Sequence, residues 1–309
     1  MKIGVMYSGI QSANGADYVA EYIANAVHFL GHEVIMIGRH GGTSVKYPIE
    51  KGLDFIIHSS GFNLTPNIIK RLQNMCPVIM WTHNDEMISW QDKISKTTKL
   101  VNIHYSYTKK HAYGSHVKYL PLAADHTIYN KLSGIHNDKE YDICMIGAFR
   151  PWRKEFCDKI QKIFSKNFFH IEWNLNLETR TINTIYNSTK IVLAPIQDCD
   201  ENIPANAWGC PCRTFEIPAT GAFQLQVERG GVEPVYGPTV VTIRPEKNMD
   251  IAINMWATEI NKWLLDDAGR KELAQKAYEH TLKKHLYIHR IETMLQDVSC
   301  LLENNNEKT

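Results

Sequence analysis

Arg213-Thr214-Phe215-Glu216-Ile217-Pro218-Ala219-Thr220-Gly221-Ala222-Phe223-Gln224-Leu225 is the stretch on which the fold turns. An arginine stands three positions ahead of a glutamate, and an apolar helical turn, a glycine stop and an apolar strand follow. The planar guanidinium fork donates to two phosphate oxygens at once. A carboxylate one turn further on can accept from sugar hydroxyls. The start of a helix between them adds backbone N–H groups that favour an anion. The run therefore fits a nucleoside diphosphate, with phosphates on Arg213 and the amides around Thr214 and Phe215, and ribose on Glu216. The structural alternative for Arg213 and Glu216 is a surface ion pair at i,i+3, worth a few tenths of a kcal/mol.

Strands and helices alternate on both sides of this stretch. In the first half, Ile3–Tyr7, Glu33–Gly38, Leu53–His58, Pro77–Trp81, Leu100–His104 and Val117–Tyr119 have strand character, with helices over Ala16–Leu30 and Thr65–Asn74. The second half repeats the pattern with strands at Tyr141–Ile146, Phe169–Trp173, Lys190–Ala194, Ala222–Val227 and Val240–Ile243. Helices are expected at Lys154–Ser165 and Arg213–Ala219, then two long ones at Met249–Leu265 and Ala268–Leu302. Strands separated by helices imply right-handed crossovers and parallel sheets, hence an α/β protein. The polar Ser133–Lys139 segment is the expected boundary. This gives Rossmann-like domains over 1–135 and 136–285, and a C-terminal helix and tail over 286–309 crossing back to the first. Ligands of open α/β sheets bind beyond the carboxyl ends of strands, so a cleft there is the expected site.

The 309 residues carry 44% hydrophobic and 22% charged side chains and a formal net charge of +1, an ordinary globular balance with no global attraction to nucleic acid or membrane. No apolar run approaches the roughly 20 residues that span a bilayer, so no membrane insertion is expected. Met1-Lys2 leads straight into a strand, and seven scattered cysteines fit reduced thiols, so a cytoplasmic location is expected. Cys210-Pro211-Cys212 is too tight for an easy disulfide and lacks a second ligand pair, and no metal is assigned to it.

Several other groups could carry chemistry. Gly147-Ala148-Phe149-Arg150-Pro151-Trp152-Arg153-Lys154 follows a strand and opens a helix. Glycine allows close approach to a phosphate, and the three cations oppose the helix dipole unless an anion binds. A solvated basic turn is the alternative. Trp81-Thr82-His83-Asn84-Asp85-Glu86 lies at the carboxyl end of a strand, where Asp85 or His83 could act as base; a helix N-cap is the equal alternative. Ile88–Tyr119 carries six lysines against one aspartate, interleaved with Tyr105, Tyr107, Tyr113 and Tyr119. That mixture can bind a nucleic-acid backbone and stack on bases, with Lys109, Lys110 and Tyr107 on the acceptor side; a solvated lysine-rich face is the alternative. His280, Tyr287 and Met294 share one face of the expected last helix, which serves as a brace.

The run Arg213–Leu225 resembles the donor-binding motif of GT-B glycosyltransferases, in particular the CgeB-like, family-four-type (glycosyl transferases group 1) branch. Tyr141–Phe156 is similar to that family's first strand and phosphate loop, Ile185–Asp198 to the helix and strand before the donor loop, and Val117–Asn130 to the interdomain segment. The resemblance implies a metal-independent hexosyltransferase. It would move a sugar from a nucleotide sugar, UDP-glucose-like, to an acceptor hydroxyl on a hydroxymethylated pyrimidine in DNA or on a glycan. It also implies that no cofactor is tightly bound. It places Gly9, Gly147, Arg150, Arg153, Lys154 and Pro195 with Arg213–Glu216 at the donor. The family carries two glutamates around this motif. Glu216 matches the second and Trp208 stands where the first belongs, with Asp198 and Glu201 as nearby substitutes. The Asp198-Cys199-Asp200 triplet is not assigned to a metal. A nucleotide-sugar epimerase and a non-catalytic nucleotide- or glycan-binding protein of the same fold are the rival expectations.

Overall fold

The computed structural model describes residues 1–7, 15–38, 51–61, 64–83, 86, 88–109, 116–133, 139–148, 151–164, 168–173, 178–195 and 207–306. The expected site residues Gly9, Asp85, Lys110 and Arg150 lie outside the described residues, as do Asp198 and Glu201. The chain divides into two compact units, Met1–Asp125 with Lys284–Thr309, and His126–Lys283.

In the first unit the order is β1 (Lys2–Met6), α1 (Gly15–Phe29), β2 (Glu33–Ile37), β3 (Phe55–Ser59), α2 (Pro66–Gln73), β4 (Val78–Thr82), α3 (Ile88–Thr97), β5 (Ile103–Ser106) and β6 (Val117–Tyr119). Among the described residues these strands form a parallel six-stranded sheet, β2-β1-β3-β4-β5-β6. β3 and β4 are buried at every position, as central parallel strands covered on both faces must be. α2 starts at Thr65, whose hydroxyl accepts from the Ile68 N–H at 3.3 Å, with Pro66 in the first helical position.

In the second unit the order is β7 (Tyr141–Ala148), α4 (Pro151–Ile163), β8 (Phe168–Trp173), α5 (Thr179–Asn187), β9 (Thr189–Ala194), α6 (Arg213–Ala219), β10 (Phe223–Val227), α7 (Val232–Tyr236), a 3-10 turn at Gly237–Thr239, β11 (Val241–Ile243), α8 (Met249–Leu265) and α9 (Asp267–Lys284). The sheet is again parallel, β11-β10-β9-β7-β8 among the described residues. Its main core joins Ile143, Met145, Ile191, Leu193, Phe223 and Leu225 to Phe156 and Ile160 of α4 and to Trp256 and Ile260 of α8. Gly221, at φ +73°, ends α6 and turns the chain into β10, a conformation that glycine adopts without strain.

The last helix is α10 (Tyr287–Asn306), which packs on α1. The single helix expected over Ala268–Leu302 is therefore two. The break falls at His285-Leu286, where the backbone leaves the helix to pair with Ala124: Ala124 N–H donates to the His285 carbonyl at 2.9 Å and Tyr287 N–H to the Ala124 carbonyl at 3.0 Å. His280 and Tyr287 consequently do not share a helix. His280 stacks near Tyr236, whereas Tyr287 packs against Trp81 and Tyr22.

Candidate functional site

In the second sheet β8 lies on one side of β7 and β9 on the other, so the chain reverses direction between β7 and β9. A crevice opens beyond the carboxyl ends of the two strands at such a reversal, and ligands of open sheets sit there. β7 delivers Gly147 to this point and β9 delivers the buried Pro195. Arg153, in the first turn of α4, folds back over Gly147. A Cβ on Gly147 would lie 2.8 Å from Arg153 Nη1 and 3.1 Å from its Cζ, so glycine here makes room for the guanidinium. Arg153 is buried and its guanidinium carbon sits 5.2 Å from the centre of the Trp152 ring. Lys154 points elsewhere: its ammonium pairs with Asp158 on the next turn at 2.7 Å.

After β9 the chain reaches α6. Glu216 is buried and Arg213 half-buried. The buried Tyr186 hydroxyl on α5 has its pKa raised, first by burial; the Arg213 charge opposes the rise and the Glu216 charge adds to it. The Arg213 charge likewise works against burial at Cys144 on β7, whose thiol is still pushed up to about 12. Arg213 and Glu216 thus act on the same buried polar region. The first amides of α6 do not project at a ligand: Thr214 N–H donates to the Pro211 carbonyl at 2.9 Å and Phe215 N–H to the Cys212 carbonyl at 2.8 Å. The Thr214 and Phe215 side chains also face inward. The Thr214 hydroxyl bonds Gln226 Oε1 at 3.2 Å, and the Phe215 ring lies 6.0 Å from that of Tyr236. A helix of this length offers side chains here, not a row of free amides.

Trp208, ahead of α6, is laid over the glycine pair that follows β10. A Cβ on Gly230 would come within 2.5 Å of Trp208 Cδ1, and one on Gly231 within 2.6 Å of the Trp208 carbonyl oxygen. Gly231 N–H donates to that carbonyl at 2.8 Å and Gly230 N–H to the Ala207 carbonyl at 3.3 Å.

The first unit has its own reversal, between β1 and β3. Beyond β3 the chain passes through Ser60 at φ 81° and Gly61 at φ 70°, a left-handed pair in which Ser60 carries the strain of a side chain. Gly61 N–H donates to His58 Nδ1 at 3.1 Å, and the Ser59 hydroxyl lies 3.3 Å from Nε2 of His83, the residue that follows β4. His58 and His83 are both buried. Burial lowers His58 to about 4; it lowers His83 to about 3, with the His58 charge adding to the effect. His83 is therefore a neutral imidazole across the physiological range and a weak base, better suited to holding a hydrogen bond than to removing a proton at neutral pH. Next to it, the buried Glu86 accepts from the Tyr107 hydroxyl at 3.1 Å and the Thr108 hydroxyl at 3.4 Å.

That last bond changes the view of the basic segment. Tyr105 and Tyr107 are buried, and the Tyr105 hydroxyl donates to Asp297 on α10 at 2.5 Å. Lys118 pairs with the same carboxylate at 2.7 Å, and the Lys109 ammonium lies over the Tyr119 ring at 5.1 Å from its centre. Because β5 is covered on both faces, two of the interleaved aromatics brace the unit from inside, so they are not available to stack on a base.

Residues 131–296, more than half of the chain, match the family model described as glycosyl transferase-like. The chain belongs to the glycosyl transferase-like family. No curated protein matches this family member significantly by sequence. Solved structures do match its fold. A sucrose-phosphate synthase from Thermosynechococcus elongatus is similar with a TM-score of 0.66 at 11% identity, covering 100% of both chains. An alpha-glucosyltransferase in complex with UDP and a 13-mer DNA containing an A:G mismatch gives a TM-score of 0.67 at 10% identity, over 97% of this chain and 100% of the other. Anabaena HepE in complex with UDP and glucose gives 0.63 at 10% identity, over 97% and 99%. At these identities the likeness is one of fold, and the fold is GT-B.

In this glycosyltransferase, sequence reasoning missed Tyr186, the Gly230-Gly231 pair and the His58–Ser59–Ser60 turn. Each had a local signal: a tyrosine one turn before a strand, a double glycine directly after one, and a histidine inside an otherwise apolar strand. Among the described residues no cluster of three or more His, Cys, Asp or Glu side chains is placed to hold a metal ion, and no helix is long and apolar enough to cross a membrane.

Proposed function

We propose that this glycosyltransferase takes its sugar from a nucleoside diphosphate donor of the UDP-glucose type. In this scheme Arg213 and Arg153 hold the diphosphate and Glu216 the ribose, while Gly9 and Arg150 complete the phosphate loops. The observation that carries the proposal is the placement of half-buried Arg213 and buried Glu216 on α6, both acting on Tyr186, with Arg153 folded over Gly147 at the end of β7. Two guanidinium groups at the leaving diphosphate stabilise the negative charge that builds up as the sugar departs. They supply electrostatically what a divalent ion supplies in other glycosyltransferases, and the reaction is accordingly proposed to be metal-independent. Lys154, held by Asp158, stays outside this set.

In the first unit His83 stays neutral and binds the sugar through hydrogen bonds, which leaves Asp85 as the base if the anomeric centre is inverted. The acceptor is a hydroxyl, and a hydroxymethylated pyrimidine in DNA is the acceptor we favour over a glycan. Support comes from the lysine excess of residues 88–119, and from the alpha-glucosyltransferase fold neighbours solved in complex with UDP-glucose or UDP and DNA. Lys109 and Lys110 would then meet phosphates, whereas Tyr107 supports Glu86 from inside. The expected domains would divide the work, with donor binding in 136–285 and acceptor binding in 1–135, and with the helix over 286–309 as the brace.

A thermal-shift titration with UDP and UDP-glucose tests the donor assignment. Ligand at about 100 times its dissociation constant adds about 2.7 kcal/mol of stability. The shift should vanish in both Arg213→Ala and Glu216→Ala and persist in EDTA. No shift with any nucleotide in wild type would sink the donor assignment. Incubation with radiolabelled UDP-glucose and DNA with or without hydroxymethylated bases then tests the acceptor.

A further inference from the structure

We infer that Gln224 and Gln226 on β10 are positioning residues that hold Arg213 and Glu216 in place; the inference rests on the donor site proposed above. Side chains alternate across a strand. Phe223, Leu225 and Val227 fill the core against α4 and α8, so Gln224 and Gln226 face the other way, towards α6. Glutamine is out of character in a central parallel strand, where both faces are normally apolar. Both side chains are nonetheless buried, at 3% and 0% exposure.

Their bonds converge on one turn. Gln226 Oε1 accepts from the Thr214 hydroxyl at 3.2 Å and from Gln224 Nε2 at 2.7 Å, and Gln224 Nε2 also reaches the Arg213 carbonyl at 3.5 Å. That turn needs outside support. α6 spans only Arg213–Ala219, its N-cap Cys212 makes no side-chain capping bond, and Pro218 removes a backbone donor inside the helix. The register places Gln226 beside Ala194, the last residue of β9. The network therefore lies at the carboxyl end of β9.

Gln224 Oε1 and Gln226 Nε2 are buried without a hydrogen-bond partner among the described residues. Unsatisfied buried amide atoms destabilise, and replacing both partners of such a pair by apolar groups of similar shape is close to neutral or stabilising. Replacing both glutamines by apolar side chains of similar length therefore tests their bonds to α6 apart from the packing of β10.

The double variant Gln224→Met/Gln226→Met separates the two roles. Isothermal titration with UDP, alongside the melting temperature without ligand, is the measurement, and Arg213→Ala is run in parallel. We expect a melting temperature equal to or above wild type together with a dissociation constant for UDP raised about tenfold. Thr214→Val should weaken UDP in the same direction, and Thr214→Ser, which keeps the hydroxyl, should lie between it and wild type. An unchanged UDP affinity in the double variant, with Arg213→Ala still abolishing binding, would overturn the positioning role and leave the donor site standing. Lost affinity with a matching fall in melting temperature would reduce the glutamines to structural residues. Absence of UDP binding in wild type would overturn both.

Discussion

Acidification should destabilise the first unit well before its carboxylates titrate, because three buried histidines are held neutral there. Burial lowers His58 to about 4; His83 and His104 fall to about 3, with burial again the main cause and the charges of His58 and His116 respectively adding to it. His104 sits between two hydroxyls, Thr82 at 2.8 Å and Thr98 at 2.5 Å, and satisfies both ring nitrogens without a charge. In the unfolded chain each imidazole regains an ordinary value of about 6.5. Between that value and the native ones the unfolded state binds more protons than the native state, so stability falls as pH falls. Each such histidine contributes about 1.4 kcal/mol per pH unit once the pH is well below 6.5. From pH 7 to pH 5 the three together remove about 6 kcal/mol, comparable with the whole stability of an ordinary domain. Urea unfolding at pH 7, 6 and 5, followed by hydrogen exchange of peptides from β3, β4 and β5, measures this unit apart from the other. The loss should be fully reversible on return to pH 7, and His104→Gln should reduce the slope by about one proton. A change below about 1 kcal/mol over this range would refute the buried, neutral state of the trio.

Three further outcomes follow from close packing. Gly147→Ala pushes only on the flexible end of Arg153, so unfolding free energy should stay within about 1 kcal/mol of wild type while UDP affinity measured by calorimetry falls. Gly231→Ala meets the Trp208 backbone carbonyl at 2.6 Å and Cys210 Sγ at 3.1 Å; with nothing flexible to yield, it should cost about 1–3 kcal/mol in urea unfolding. Arg290→Met removes a buried guanidinium that donates to the carbonyls of Pro121 at 2.8 Å, Leu122 at 3.2 Å and Lys284 at 2.9 Å and meets His285 Nδ1 at 2.8 Å. That loss should destabilise the first unit by about 3 kcal/mol or more, read as accelerated exchange of the α10 amides.

The strands themselves were legible because their signal is local: apolar runs bounded by glycine and polar turns mark β3, β4, β7, β9 and β10 without reference to the rest of the chain. The break between α9 and α10 was not. Lys284-His285-Leu286-Tyr287 holds neither glycine nor proline, and the helix stops because Ala124, far away in sequence, competes for its backbone. The tyrosines of the basic segment misled for a related reason. Spacing tells which residues alternate, but whether both faces of β5 are covered depends on helices elsewhere in the sequence. At the donor motif the residue types were informative and their orientations were not. The alternation of β10 shows that Gln224 and Gln226 share a face, yet only the packing of α6 reveals what they hold.

The carboxyl ends of the two sheets differ in chemistry. Beyond β7 and β9 stand guanidinium groups and a buried carboxylate, groups that recognise charge and ribose hydroxyls. Beyond β3 and β4 the described side chains of His58, Ser59, Ser60 and His83 are uncharged: imidazoles kept neutral by burial, and hydroxyls. A neutral imidazole is both donor and acceptor, as is a hydroxyl, so these buried groups can satisfy one another in either sense without a charge of their own. A histidine of ordinary pKa would be partly protonated near neutral pH and would add a cation at this end of the first sheet. Lowering His83 to about 3 removes that charge. The desolvation that makes His83 a poor base thus also keeps this end of the first sheet free of an added positive charge near neutral pH.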